Sequence, residues 1–91
     1  MSSNEVTLCI PRITSTTTKK FIFEKFKKLN WGKVDVIKEY NLKEAGYKMI
    51  IIKILWGNDE NALMYKNKLL EGTTIKVVYN NPWYWRVIKY K

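Results

Sequence analysis

Histidine is absent from this chain, and cysteine occurs once, at Cys9. Without histidine the sequence lacks the side chain that titrates near neutrality and most often ligates metals. No carboxylate pair stands at a telling spacing, and no run of residues has metal-ligand spacing, so the sequence offers no catalytic residue, no metal site and no cofactor. The expectation is a protein that is not an enzyme. A single cysteine forms no intramolecular disulfide, and Cys9 reads as a small packing residue rather than a nucleophile. No apolar run is long enough to cross a membrane. Residues 1–5, Met-Ser-Ser-Asn-Glu, lack the basic start and apolar stretch of a signal peptide and read as a flexible N-terminus. Together these absences predict a reduced, intracellular protein with no membrane partner.

Acid is the other scarce commodity. Lys and Arg number 17 against 8 Asp and Glu, giving a formal net charge of +9. Such an excess on a small domain favours a polyanionic partner, nucleic acid first. The abundance of Lys, Asn and Ile is what an AT-rich genome encodes, but that bias alone does not require one sign of charge to dominate. Ninety-one residues, 46% hydrophobic, are enough for one domain with a single core between two layers.

Residues 47–56, Tyr-Lys-Met-Ile-Ile-Ile-Lys-Ile-Leu-Trp, form the organising stretch. They are β-branched and aromatic, with no Gly or Pro, as a central strand requires. Period two puts Ile50, Ile52 and Ile54 on a core face and Met49, Ile51 and Lys53 on the other. Residues 6–10 read as a first strand stopped by Pro11, with Val6, Leu8 and Ile10 inward. A hydroxyl-rich loop follows, where Ser15 or Thr16 can cap a helix over residues 17–29 whose buried stripe is Ile22, Phe26 and Leu29. Residues 33–40 read as a second strand whose alternation breaks at Val36-Ile37, as at a bulge or an edge position. Asn58 or Asp59 caps a second helix over 60–70 with Ala62, Tyr65 and Leu69 inward, and Gly72 sits where a C-cap belongs. A short strand over 74–79 and a last strand over 83–90 complete the chain.

The order β-α-β-β-α-β, with a small extra strand before the last, predicts an α+β ferredoxin-like sandwich. In it, two helices lie on one face of a four-stranded antiparallel sheet and the other face stays open. The residues resemble those of the RNA recognition motif. Leu8-Cys9-Ile10-Pro11-Arg12-Ile13 is similar to its strand-one frame, residues 47–54 to its strand-three frame, and Ala62 followed by Gly72 to its second helix. The outward positions where that family stacks bases hold Cys9, Met49 and Ile51, so its aromatics have no counterpart there. A longer resemblance joins Leu8-Cys9-Ile10-Pro11-Arg12, Trp56, Glu60-Asn61-Ala62, Leu69-Leu70, Gly72, residues 75–79 and Asn81-Pro82-Trp83-Tyr84-Trp85. That set resembles small RNA-recognition-like proteins of giant nucleocytoplasmic DNA viruses. It implies a viral protein, placed in the host cytoplasm or the virion.

On the last strand, inward Trp85 and Val87 leave Tyr84, Arg86, Ile88 and Tyr90 on the open face. Two aromatics around an arginine suit base stacking with a phosphate contact. The competing reading makes the 82–85 cluster a hydrophobic plug for the sheet edge. Arg12, in a hydroxyl-rich loop before a helix, can meet an anion, although the loop has no glycine cradle. That missing cradle also separates the chain from acylphosphatases, ferredoxin-like enzymes that use a loop arginine. Lys53, mid-strand on the open face, needs a partner for its charge. The expected nucleic-acid contacts are therefore Arg12, Lys53, Tyr84, Arg86 and Tyr90, binding single-stranded RNA with low sequence specificity. The alternative is a protein interface, a homodimer or another viral protein docking on Cys9, Met49, Ile51 and Ile88.

Overall fold

The computed structural model describes residues 6–90, so the flexible terminus expected at residues 1–5 lies outside the described residues. The elements run β1 (Thr7–Thr14), α1 (Lys19–Leu29), β2 (Gly32–Asn41), β3 (Tyr47–Trp56), α2 (Glu60–Leu70), β4 (Ile75–Asn80) and β5 (Trp83–Lys89). The class is α+β, as expected. The sheet, however, has five strands rather than four, all antiparallel, in the order β2-β3-β1-β5-β4. The extra strand β4 is a full edge strand, because Lys76, Val77 and Val78 pair with Arg86, Trp85 and Tyr84.

One core seals the helix side of the sheet. Leu8 and Ile10 from β1, Ile50, Ile52 and Ile54 from β3, and Trp85 and Val87 from β5 are buried with Ile22 and Phe26 of α1 and Leu69 of α2. The period-two reading of β3 is therefore correct, as is the inward placement of Trp85 and Val87. Aromatic rings run through this core in contact. Trp31 stacks on Tyr65 and Trp56, with ring centroids 4.8 and 5.7 Å apart, and meets Phe26 edge-on at 5.7 Å. Phe26 stacks on Trp85, which stacks on Tyr79 at 4.8 Å. Such pairs add to the hydrophobic burial of each ring. The Trp56 indole nitrogen donates to the Val6 carbonyl at 2.9 Å, which satisfies its polar tip.

Local chemistry sets the helix ends. The α1 cap is Thr18, not Ser15 or Thr16; its hydroxyl accepts from the Phe21 amide at 3.1 Å. Asn30 closes α1 in the left-handed region, which asparagine tolerates. Gly72, at φ 89°, ends α2: its amide donates to Leu69 and that of Thr73 to Lys68, the paired bonds of a Schellman turn. On α2 the buried residues are Ala62, Lys66 and Leu69, while Tyr65 is half-buried.

Two irregularities depart from the sequence reading. β1 does not stop at Pro11 but continues to Thr14 through a register shift between Ile10 and Ile13. A bulge is where a strand tolerates a proline that lacks its N–H. On β2 the shift falls between Val34 and Val36, so Asp35 is the extra residue, and Ile37 stays in register with Ile52. None of the helices among the described residues is long and apolar enough to cross a membrane.

Candidate nucleic-acid interface

Directly paired residues of an antiparallel ladder share a face. Because Leu8 and Ile52 are core partners, the pairs on either side of them point outward. Thr7 faces out beside Lys53, and Cys9 beside Ile51. The same logic places Lys33, Val36, Lys38 and Tyr40 of β2 outward, as well as Tyr84, Arg86 and Ile88 of β5 and Lys76 and Val78 of β4. None of these outward ladder positions is acidic. Part of the chain's positive excess is therefore carried here, by Lys33, Lys38, Lys53, Lys76 and Arg86.

Its centre is aliphatic. Ile88, Cys9 and Ile51 form one row across three strands, followed by Lys38 on β2. Cys9 is 4% and Ile51 5% exposed, so both are already covered within the single chain, while Met49 and Ile88 are half-buried. Burial pushes the Cys9 thiol above its ordinary pKa.

A half-open notch in the face lies between β1 and β5. These strands pair only at Leu8↔Lys89 and Cys9↔Ile88. Continuing that register would bring Pro11 opposite Arg86, but Pro11 carries no amide and sits in the β1 bulge, so the two strands part. The notch so formed has a volume of about 690 Å³ and is lined by Pro11, Arg12, Pro82, Trp83, Tyr84 and Arg86. Arg12 therefore belongs to a strand rather than a loop. Its guanidinium lies 4.0 Å from the centroid of the Tyr47 ring and donates to Glu44 Oε2 at 3.0 Å. Lys76 places its ammonium 5.0 Å from the Tyr84 centroid, so the cation on that ring comes from β4.

Of the expected contact residues, the notch gathers Arg12, Tyr84 and Arg86. Lys53 and Tyr90 lie at the other end of the face, both beside Thr7: Lys53 is its ladder partner, and the Tyr90 amide donates to its carbonyl at 2.8 Å. Lys53 is exposed, so its charge is hydrated and does not require a protein partner. It shares a recess of about 140 Å³ with Asp35. Lys48, one of the lysines that could have met phosphate, is instead buried against Glu39 and the Thr17 carbonyl.

Three members of this site were not among the contacts expected from the sequence. Trp83 is 63% exposed at the mouth of the notch, whereas Trp85 is 4% exposed in the core, so the plug reading fits one tryptophan and not the other. Tyr47 and Glu44 hold Arg12 from 35 and 32 residues away. The adjacency of Pro82 and Trp83 at a strand start was the available signal for the first; no local signal marked the other two. Among the described residues no group of three or more His, Cys, Asp and Glu could hold a metal ion. No protein-family model matches this chain, and no curated protein or solved structure matches it either.

Proposed function

We propose that this chain is a non-enzymatic domain that binds single-stranded nucleic acid, RNA in preference, with low sequence specificity through the open face of its sheet. The observation that carries this reading is the notch between β1 and β5. It combines two guanidinium groups with an exposed indole and a phenol ring on a face whose outward ladder positions hold cations and no acid. Arginine pairs with phosphate oxygens, and exposed aromatic rings take bases of any sequence. Lys33, Lys38 and Lys53 extend the cationic surface across β2 and β3, where they supply salt-dependent, sequence-independent affinity.

The order β5-β1-β3-β2 within the sheet supports a ferredoxin-like, RNA-recognition-like unit to which β4 is added at one edge. The giant-virus resemblance of the sequence supports a viral protein acting in the host cytoplasm or the virion. A dimer formed through the aliphatic row is the weaker reading, because Cys9 and Ile51 at its centre are already buried in one chain.

The test is a fluorescence-anisotropy titration of a labelled single-stranded RNA at two salt concentrations, with oligomeric state measured alongside. Micromolar or tighter binding that weakens with salt yet persists near physiological ionic strength is the expected result. A stable dimer that leaves the RNA free would overturn the proposal in favour of a protein interface.

A further inference from the structure

A flat sheet offers bases a platform, but a notch offers one of them a pocket. The splayed ends of β1 and β5 border a half-open notch of about 690 Å³, a volume within the range of small-ligand sites. The central row of the face, Ile88, Cys9 and Ile51, is aliphatic, so this notch is chemically distinct from it. Arg12 and Arg86 line it together with Trp83, the tryptophan with the most exposed ring. The other tryptophans are stacked in the core. One of the two guanidinium groups is already engaged. Glu44 places a carboxylate oxygen 3.0 Å from the Arg12 Nη2, while the ring of Tyr47 supports the guanidinium from one face. A carboxylate on a guanidinium makes the contact that a phosphate oxygen would make. Both members of that pair are more than half exposed, so the pair is weak and exchangeable.

We propose that this notch is a pocket for one nucleotide, its phosphate on Arg86 and Arg12 and its base on Trp83, and that Glu44 occupies the phosphate position on Arg12 until the nucleotide displaces it. The proposal rests on the nucleic-acid reading above and narrows it to a single subsite. A terminal phosphomonoester, nearly doubly charged at neutral pH, matches two guanidinium groups better than an internal phosphodiester does. Glu44 then serves as an internal competitor that selects against weakly charged ligands.

The probe is adenosine 5′-monophosphate, with adenosine as the phosphate-free control. Binding is followed by tryptophan emission and by calorimetry on the full chain. The nucleotide should quench emission in the wild type, and Trp83→Phe should abolish that quenching. Adenosine should bind about tenfold more weakly, as expected for loss of a charge-assisted contact. Glu44→Gln should tighten the nucleotide about two- to fivefold and leave adenosine unchanged, the range expected for an exposed ion pair. An oligonucleotide that binds while the mononucleotide neither quenches nor competes would overturn the pocket and leave the face reading standing. A mononucleotide that binds where no oligonucleotide does would do the reverse, and silence from both would end both. Unchanged nucleotide affinity in Glu44→Gln would remove the displacement.

Discussion

The ammonium of Lys48 lies 2.8 Å from Glu39 Oε2, on the core side of the sheet. The same nitrogen donates to the Thr17 carbonyl at 2.6 Å, tying the β2–β3 hairpin to the loop before α1. The Lys48 side chain is almost entirely enclosed, whereas Glu39 keeps a partly exposed edge. A buried cation with two acceptors is satisfied; with one acceptor it is costly.

Removing the acid should therefore hurt more than removing both charges. Glu39→Ala should cost about 3 kcal/mol, the lower end for breaking a buried pair because Glu39 is partly exposed. The double variant Glu39→Leu/Lys48→Met should be closer to wild type than Glu39→Ala. Urea denaturation of the three proteins decides it, and a double variant as destabilised as Glu39→Ala, or more so, would contradict this reading.

Two tryptophans two residues apart should behave oppositely. Trp85→Ala empties a core position between Phe26 and Tyr79 and should cost about 3–5 kcal/mol of stability. Trp83→Ala should leave stability within about 0.5 kcal/mol. Its RNA affinity should fall by about 1–3 kcal/mol, the usual value of one stacked base. Thermal denaturation and anisotropy on the same two variants separate these effects.

Arg86 and Lys28 test which side of the molecule meets the phosphates. Arg86 lies on the open face, while Lys28 is exposed in the last turn of α1. Arg86→Ala should weaken RNA binding and reduce the salt dependence by about one unit of slope, as for the loss of one phosphate contact. Lys28→Ala should change neither by a comparable amount. Equal small effects would take the sheet out of the interface.

The Cys9 thiol should be slow to react in the folded protein. Burial raises its pKa, so the folded state holds the proton to higher pH than the unfolded chain does. The resulting stabilisation is complete below the unfolded thiol's pKa and is lost as pH rises through the higher folded value. Labelling by a disulfide reagent at pH 8 should be slow in native buffer and fast in denaturant. Equal rates in both would show the thiol to be accessible.

What the sequence revealed of this fold and what it hid follow a physical pattern. Alternation showed Ile50, Ile52 and Ile54 inward because a half-covered sheet imposes period two wherever the ladder is regular. Gly72 was recognisable because a helix end of this kind needs a positive φ. The bulges were harder to place. Nothing local shows that Pro11 lies within β1, or that Asp35 rather than Val36 is the extra residue of β2. The cap fell on Thr18 from a run of hydroxyls that were interchangeable by type. Arg12, Tyr84 and Arg86 were singled out from their chemistry, but the notch that unites them exists because β1 and β5 stop pairing, a property of two distant segments. The Glu44–Arg12 and Glu39–Lys48 pairs are likewise tertiary facts.

The most direct measurement is an amide and indole NMR titration of the isotopically labelled chain with an unlabelled single-stranded octanucleotide RNA. The account predicts shifts at Arg12, Tyr84, Arg86 and the Trp83 indole, extending across the face to Lys38 and Lys53, with α1 silent. Shifts confined to the lysines of α1, or none at micromolar RNA, would contradict it.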